Sequence, residues 1–250
     1  HSLKLYEGLS RELNFNVMMS QRGLLTLAHS HHELEAMRRW ANAIQINEID
    51  AEVLTPVEIK KLVPSINLDC RFPIHGGFIQ HRGGISRHDA VVWGYARAAC
   101  ASGVDIIQQC EVTALNVQSG RITGVNTTRG MIGAEKVSIA VAGHTSELAR
   151  MAGFRVPVTS MALQAMVSEP IKPCLNTVVM SPVIHMYVSQ SDRGELVFGG
   201  GADVYNSYAQ RGGIPLLQEN TAALLELFPA FSRLRLMRQW AGIVDITPDT

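Results

Sequence analysis

The chain has 250 residues, of which 46% are hydrophobic and 18% are charged. This composition predicts one or two well-buried globular domains and argues against disorder. The 22 Lys and Arg residues balance the 22 Asp and Glu residues, so the formal net charge is zero. A basic surface for nucleic acid is therefore not expected.

Four cysteines are scattered without a C-x-x-C pair, which argues against a zinc ribbon or a redox dithiol and predicts free, mostly buried thiols. We expect no metal site. The first residues show neither a secretory leader nor an apolar run of membrane-spanning length, so a cytoplasmic protein without membrane contact is expected. The sequence begins without Met and directly in a helical pattern, which suggests a piece of a longer protein.

Three helices are predicted early in the chain. Apolar spacing favours a helix over Leu3–Leu13, and Ser30 with Glu33 three residues later marks the N-cap of a helix over 30–43. Thr55 is expected to cap a further helix that Pro64 ends. Strands are expected within 15–28 and 71–80.

A further helix is predicted after the glycine pair Gly83-Gly84, with Ser86 as N-cap and Asp89 in the capping-box position. His88 then lies in the first turn, where the positive end of the helix dipole disfavours protonation of the imidazole. A neutral imidazole can serve as a base, a metal ligand or a nucleophile. On the local sequence alone, an ordinary exposed polar residue remains the alternative.

The region 103–137 alternates apolar and polar residues between turn signals, which predicts a β-meander. A fully apolar strand, Val137–Ala142, should follow, and the Ala142-Gly143 turn should lead into a helix over Thr145–Met151. Such a turn lets a phosphate or dinucleotide approach the backbone. The chain contains no G-x-G-x-x-G, so a phosphate loop of that type is not expected within it.

Beyond residue 154 the sequence predicts strands in 156–170, 176–181, 185–190 and 195–201, a helix over Leu216–Phe228, and a last strand at Trp240–Ile246. Without strict βαβ alternation, this order indicates an α+β fold with a large antiparallel sheet. His185 and Tyr187 are two residues apart and are expected on one face of a strand. They are candidates for lining a substrate cavity, with ordinary packing as the alternative.

Six segments together carry a resemblance to a known family. They are SQRGLLTLAH (20–29), GGISRHDAVVWGYARAA (83–99), GVDIIQQCEVTALN (103–116), VAGHTSELARMAGF (141–154), YVSQSDRGELVFGGGADVYNSYAQRG (187–212) and QWAGIVDITPD (239–249). In these segments the chain resembles the β subunits of heterotetrameric sarcosine oxidases, within the D-amino-acid-oxidase-like superfamily of FAD-dependent flavoproteins. The resemblance extends over nearly the whole chain.

This resemblance implies oxidative demethylation of sarcosine to glycine. Electrons would pass from the substrate to FAD, then to FMN and then to oxygen, while a partner subunit transfers the formaldehyde unit to tetrahydrofolate. FMN in this family is attached covalently to a histidine, and His88 occupies the matching position. Val112 and the Ala142-Gly143 turn match positions that contact FAD. The partners implied are the α, γ and δ subunits.

The resemblance also implies an α+β, D-amino-acid-oxidase-like fold with a partial nucleotide-binding domain and an antiparallel-sheet substrate domain. The family's phosphate-binding and flavin-binding glycine segments would lie before residue 1 and after Thr250. Residues 80–153 are expected to belong mainly to the FAD-binding layer, and residues 14–79 and 154–240 mainly to the substrate domain. The fragment alone is expected to be inactive. The alternatives are an amine or amino-acid oxidase or dehydrogenase that uses FAD alone, and a non-catalytic scaffold.

Overall fold

The structure is a computed structural model in which residues 2–249 are described. Its α-helices in this range are α1 (Ser2–Glu12), α2 (His31–Gln45), α3 (Pro56–Leu62), α4 (His88–Ala101), α5 (Thr145–Met151) and α6 (Ile214–Leu227). Short 3-10 turns cover Ala142–His144 and Pro229–Phe231. None of the helices in residues 2–249 is both long enough and apolar enough to cross a membrane.

The strands in this range are β1 (Ser20–Gln21), β2 (Leu24–Ala28), β3 (Glu52–Leu54), β4 (Gly76–Gln80), β5 (Gly84–Ile85), β6 (Val112–Gln118), β7 (Arg121–Thr127), β8 (Gly130–Gly133), β9 (Thr159–Pro170), β10 (Val178–Ser181), β11 (Met186–Gln190), β12 (Glu195–Asn206) and β13 (Leu236–Ile246). Most strands form within the predicted segments, whereas β3 and β5 were not predicted. The mixture of helices and strands confirms the predicted α+β class.

Two helix starts form as the sequence predicts. The Ser30 hydroxyl accepts a hydrogen bond from Glu33 N at 3.2 Å. At α3 the Thr55 hydroxyl accepts from Glu58 N at 3.4 Å, and the Glu58 carboxylate accepts from Thr55 N at 2.8 Å. Each cap satisfies backbone N–H groups that have no partner within the helix.

An eight-stranded sheet has the order β13-β9-β12-β11-β10-β2-β4-β3. β2 pairs antiparallel with β4, and β11 pairs antiparallel with both β10 and β12. β2 and β10 are parallel neighbours, with Leu25 opposite Val179. The predicted large sheet is thus present, with a parallel pair that the sequence pattern did not indicate.

The chain divides into two compact units. The first comprises the described residues up to Val104 with Ala165–Gly201 and Gly212–Gln239, and the second comprises Asp105–Gln164, Ala202–Arg211 and the described residues from Trp240 onward. The first unit has a core in which Leu25, Ile59 and Val188 are fully buried together with Leu227 and Phe228. Burial of each such side chain contributes roughly 1.5–3 kcal/mol.

The second unit contains the predicted β-meander as a three-stranded antiparallel sheet, β6-β7-β8. The predicted strand Val137–Ala142 is wrong, because residues 137–141 form no strand and Ala142 begins a 3-10 turn. An apolar run indicates burial, but a strand also needs a neighbour with which to pair its backbone.

All four cysteines are free thiols, as predicted. The expectation that most are buried is wrong, since Cys70 is buried whereas Cys100 and Cys174 are exposed and Cys110 is half-buried. Burial raises the pKa of the Cys70 thiol and of the Cys174 thiol.

Candidate functional site

His88 is the first residue of α4, and it is exposed. Arg87 occupies the N-cap position without a side-chain cap hydrogen bond, so the predicted capping box of Ser86 and Asp89 is wrong. The Asp89 carboxylate instead accepts hydrogen bonds from Arg87 Nη2 at 3.1 Å and Ala90 N at 2.9 Å. Hydrogen bonding to the Arg87 guanidinium, and secondarily to Ala90 N–H, lowers the pKa of the Asp89 carboxyl.

The His88 ring makes no hydrogen bond with any of residues 2–249. Its neighbours at the helix start are already paired with each other, because Arg87 bonds Asp89. His88 is therefore an exposed histidine without a hydrogen-bond partner among the described residues.

Val112 is the first residue of β6, as predicted, and it is half-buried. It lies opposite Thr127 in β7, and the register shifts between Val112 and Ala114. A β-bulge of this kind bends a strand and removes one residue from regular pairing. The backbone next to Val112 therefore departs from the regular ladder at the edge of the meander.

The Ala142-Gly143 turn is present, although the strand expected before it is not. Ala142 is exposed and has φ of 45°, a left-handed conformation that costs a residue with a Cβ about 1–2 kcal/mol. Gly143 is buried, and a Cβ there would overlap the Ile243 side chain. The Gly143 carbonyl also accepts a hydrogen bond from the Ser160 hydroxyl. The turn is thus held tightly, with the exposed Ala142 carbonyl accepting from the Thr145 hydroxyl at 2.6 Å.

The structure does not place His185 and Tyr187 on one strand face, and that prediction is wrong. His185 is exposed in the turn before β11 with φ of 50°, whereas Tyr187 lies within the strand. His185 N donates to the Pro182 carbonyl within this turn, and the His185 carbonyl lies against Gly200, where any Cβ would overlap it. Tyr187 is half-buried between Met180 and Gly199, and burial raises the pKa of its hydroxyl.

A sequence profile described as FAD dependent oxidoreductase matches residues 1–250. The chain belongs to this family. FAD is accordingly the cofactor that the family description names.

Two similar members of the family are bacterial proteins named Sarcosine oxidase subunit beta. The protein from Rhodobacter capsulatus is 53% identical over 98% of this chain and 59% of its own length. The protein from Rhizobium meliloti is 50% identical over 99% of this chain and 60% of its own length. The chain therefore spans about three fifths of the length of these curated relatives.

Solved structures confirm the predicted oxidoreductase fold. The L-proline dehydrogenase from P. horikoshii superposes with a TM-score of 0.90 at 24% identity, covering 99% of this chain and 66% of that chain. The glycine oxidase from Geobacillus kaustophilus gives a TM-score of 0.86 at 20% identity, with the same coverage. At these identities the likeness concerns the fold.

Sequence reasoning missed one polar contact close to the segment that contains His88. Arg82, in the turn between β4 and β5, is paired with Glu7 of α1. The two residues are 75 positions apart, and no local spacing rule relates side chains that are brought together by the tertiary fold. The glycine pair Gly83-Gly84 next to Arg82 was the only sequence signal at this turn.

Proposed function

We propose that this chain is the greater part of the flavin-carrying subunit of a sarcosine oxidase. The observation that carries the proposal is the 50–53% identity, over nearly the whole chain, to proteins named Sarcosine oxidase subunit beta. The overall reaction would convert sarcosine, water and dioxygen into glycine, formaldehyde and hydrogen peroxide. FAD, when bound, supplies the acceptor for the hydride that leaves the substrate.

Val112, Ala142 and Gly143 are the residues we propose for holding FAD. The structure offers backbone at both places, at the irregular start of β6 and at the exposed Ala142 turn. A turn with only a methyl side chain and a glycine fits a dinucleotide that approaches the main chain. In this proposal residues 80–153 contribute mainly to the FAD-binding layer, and residues 14–79 and 154–240 contribute mainly to the substrate domain.

His88 is the proposed attachment point of FMN. Attachment would join a ring nitrogen of His88 to the 8α carbon of FMN in place of one imidazole N–H bond and one methyl C–H bond. The two protons and two electrons released would pass to dioxygen, which would leave as hydrogen peroxide. The unbonded, exposed ring at the start of α4 supports this assignment, since a nucleophile needs a free lone pair.

Tyr187 and His185 are proposed to line the substrate site. The Tyr187 hydroxyl stays neutral over the physiological range because burial raises its pKa, so it can donate a hydrogen bond to a carboxylate. His185 is exposed just before the same strand. We further propose that the complete protein works in the cytoplasm with α, γ and δ subunits.

The experiment is intact-mass and peptide mapping of the full-length protein co-expressed with its partner subunits. Wild type is expected to carry an FMN-sized adduct on the peptide that contains His88, and His88→Asn is expected to lose it. The matched control is His32→Asn, because His32 is also exposed in the first turn of a helix. An adduct retained in His88→Asn would refute the assignment, and FAD without any adduct would favour an oxidase that uses FAD alone.

A further inference from the structure

Backbone contacts fix the turn between β4 and β5, which precedes α4. The Gly83 carbonyl accepts hydrogen bonds from Arg22 N at 3.1 Å and from Gly23 N at 2.8 Å. Gly84 pairs with Gln21 in β1, and a Cβ at Gly84 would overlap the Ser20 carbonyl oxygen. The backbone path towards His88 therefore has little freedom at this turn.

The Arg82 side chain joins the same turn to α1. Arg82 Nε donates to Glu7 Oε1 at 2.7 Å, and Arg82 Nη2 donates to Glu7 Oε2. Gln21 Nε2 donates to Glu7 Oε1 and to the Arg82 carbonyl, both at 2.8 Å. A bidentate pair of this kind fixes direction as well as distance. These bonds, first the one from Arg82, lower the pKa of the Glu7 carboxyl.

A second contact to the same region lies further along α4. Gly94 is the buried residue of this helix, and a Cβ there would lie 3.0 Å from Leu13 Cδ1 and 3.2 Å from Phe15 Cδ1. The Arg97 guanidinium lies 5.4 Å from the centre of the Phe15 ring. The missing side chain at Gly94 allows α4 to approach the segment that follows α1 closely.

This following segment is tied back to α1 itself. Phe15 N donates to the Ser10 carbonyl at 3.0 Å, and Val17 N donates to the Ser10 hydroxyl at 3.1 Å. Leu9 and Val17 are fully buried, so both ends of the connection are anchored in the core. The Glu7 contact and the Phe15 contact therefore lie on one hydrogen-bonded segment of the chain.

We propose that α1 is a brace that positions His88 for bonding to the flavin, with Glu7 and Gly94 as positioning residues. This inference rests on the proposed attachment of FMN at His88. The two braced points, Arg82 and Gly94, lie six residues before and six residues after His88, and no side-chain hydrogen bond within residues 2–249 orients the His88 ring. Bond formation needs the reacting atoms about 3–3.5 Å apart, and a misplacement of about 1 Å costs about 100-fold in rate.

The first test compares two glycine substitutions in helices. Full-length protein with its partners is produced without a riboflavin supply and then given both FAD and FMN, and the growth of the FMN adduct on the His88 peptide is followed by mass. Gly94→Ala displaces α4 by a few tenths of an ångström and is expected to slow attachment roughly threefold to tenfold. Gly8→Ala in α1 is the matched control, because a Cβ there meets nothing within 4 Å. Its rate is expected to equal that of wild type.

The second test reverses the ion pair. Glu7→Arg is expected to slow attachment at least about tenfold, and the double variant Glu7→Arg with Arg82→Glu is expected to recover to within about threefold of wild type. The amount of non-covalent FAD, measured in parallel, reports whether each variant is folded. If Gly94→Ala no longer binds FAD, that variant is misfolded. The charge-reversed Glu7 and Arg82 variants then distinguish a positioning role of α1 from a merely structural one.

The outcomes separate the two proposals. Absence of an adduct at His88 in the wild-type protein would overturn the proposed attachment. It would also overturn the proposed positioning role of α1, which depends on that attachment. An adduct in wild type that forms equally fast in Gly94→Ala and Glu7→Arg would overturn the brace alone. Failure of the double variant to recover would remove Glu7 from the positioning residues.

Discussion

His29 Nε2 lies 2.8 Å from the Ser181 hydroxyl, and this contact is buried between the ends of β2 and β10. His29 Nδ1 lies 2.9 Å from the Phe72 carbonyl oxygen. A carbonyl oxygen only accepts, so Nδ1 carries the hydrogen and, in the neutral ring, Nε2 accepts from Ser181. His29 thus contacts one residue 43 positions away and another 152 positions away along the chain.

Ser181→Ala is expected to lower the free energy of unfolding by about 1–3 kcal/mol, because His29 Nε2 is left buried without a donor. Urea denaturation of the full-length protein measures this change. Ser65→Ala is the control, since the buried Ser65 hydroxyl has no hydrogen-bond partner among the described residues. Equal losses in the two variants would contradict the importance of the His29 bond.

Gly143→Ala is expected to destabilise the protein by about 1–3 kcal/mol, because the new Cβ overlaps Ile243 in a packed region. The neighbouring strand offers a matched substitution, Gly242→Ala, whose Cβ meets nothing within 4 Å. That variant is expected to melt at the wild-type temperature or slightly above it. Thermal unfolding followed by circular dichroism measures both. If Gly143→Ala melts like Gly242→Ala, the turn is less tightly held than the structure indicates.

Glu7→Gln is expected to lower stability at pH 7 and to have progressively less effect below about pH 4.5. Hydrogen bonding to Arg82 lowers the pKa of the Glu7 carboxyl from its ordinary value of 4.5. The stabilisation is therefore present in full above the unfolded value and is lost as the pH falls through the folded value. Urea midpoints at pH 7 and pH 3.5 measure the difference, with Glu12→Gln in the same helix as control. A loss of equal size at both pH values would contradict the expected linkage.

Tyr187→Phe is expected to lower kcat/KM for sarcosine by about 2- to 10-fold in the complete enzyme, since one hydrogen bond contributes about 0.5–1.5 kcal/mol. Burial raises the pKa of Tyr187, so the hydroxyl keeps its proton and the loss is expected to be constant from pH 6 to pH 9. Steady-state oxygen uptake measures it. The exposed Tyr205 supplies the control, Tyr205→Phe. Unchanged kinetics in Tyr187→Phe would remove this residue from the substrate site.

Local rules recovered those parts of the fold that depend on neighbours in sequence. Ser30 and Thr55 cap helices because the acceptor and the donor are three residues apart, and the meander follows from alternation between short turns. The same rules misplaced the start of α4 by one residue, because the Arg87 side chain competes for Asp89. A capping pattern therefore predicts a helix start only when no other charged side chain reaches its carboxylate.

Features that depend on distant residues were not predictable. Val137–Ala142 has the composition of a buried strand, yet residues 137–141 form no strand. His185 lies in a turn rather than in a strand, and its carbonyl contacts Gly200, which spacing does not reveal. At the candidate site the sequence indicated His88 and its helix, whereas the pairing of Glu7 with Arg82 required the tertiary structure.

Gly94 is the buried residue of α4, whereas Val92, Trp93 and Tyr95 are 64%, 56% and 46% exposed. Substitutions at these outward positions therefore remove little packing from the described part of the chain. In a mutational scan, substitutions at these positions are expected to leave protein abundance unchanged. The same substitutions can still lower flavin content or subunit assembly when these are measured instead. At some positions in α4 a substitution would leave protein abundance unchanged but lower flavin content or assembly. Those positions would identify residues that contact other parts of the complete enzyme and do not contribute to folding.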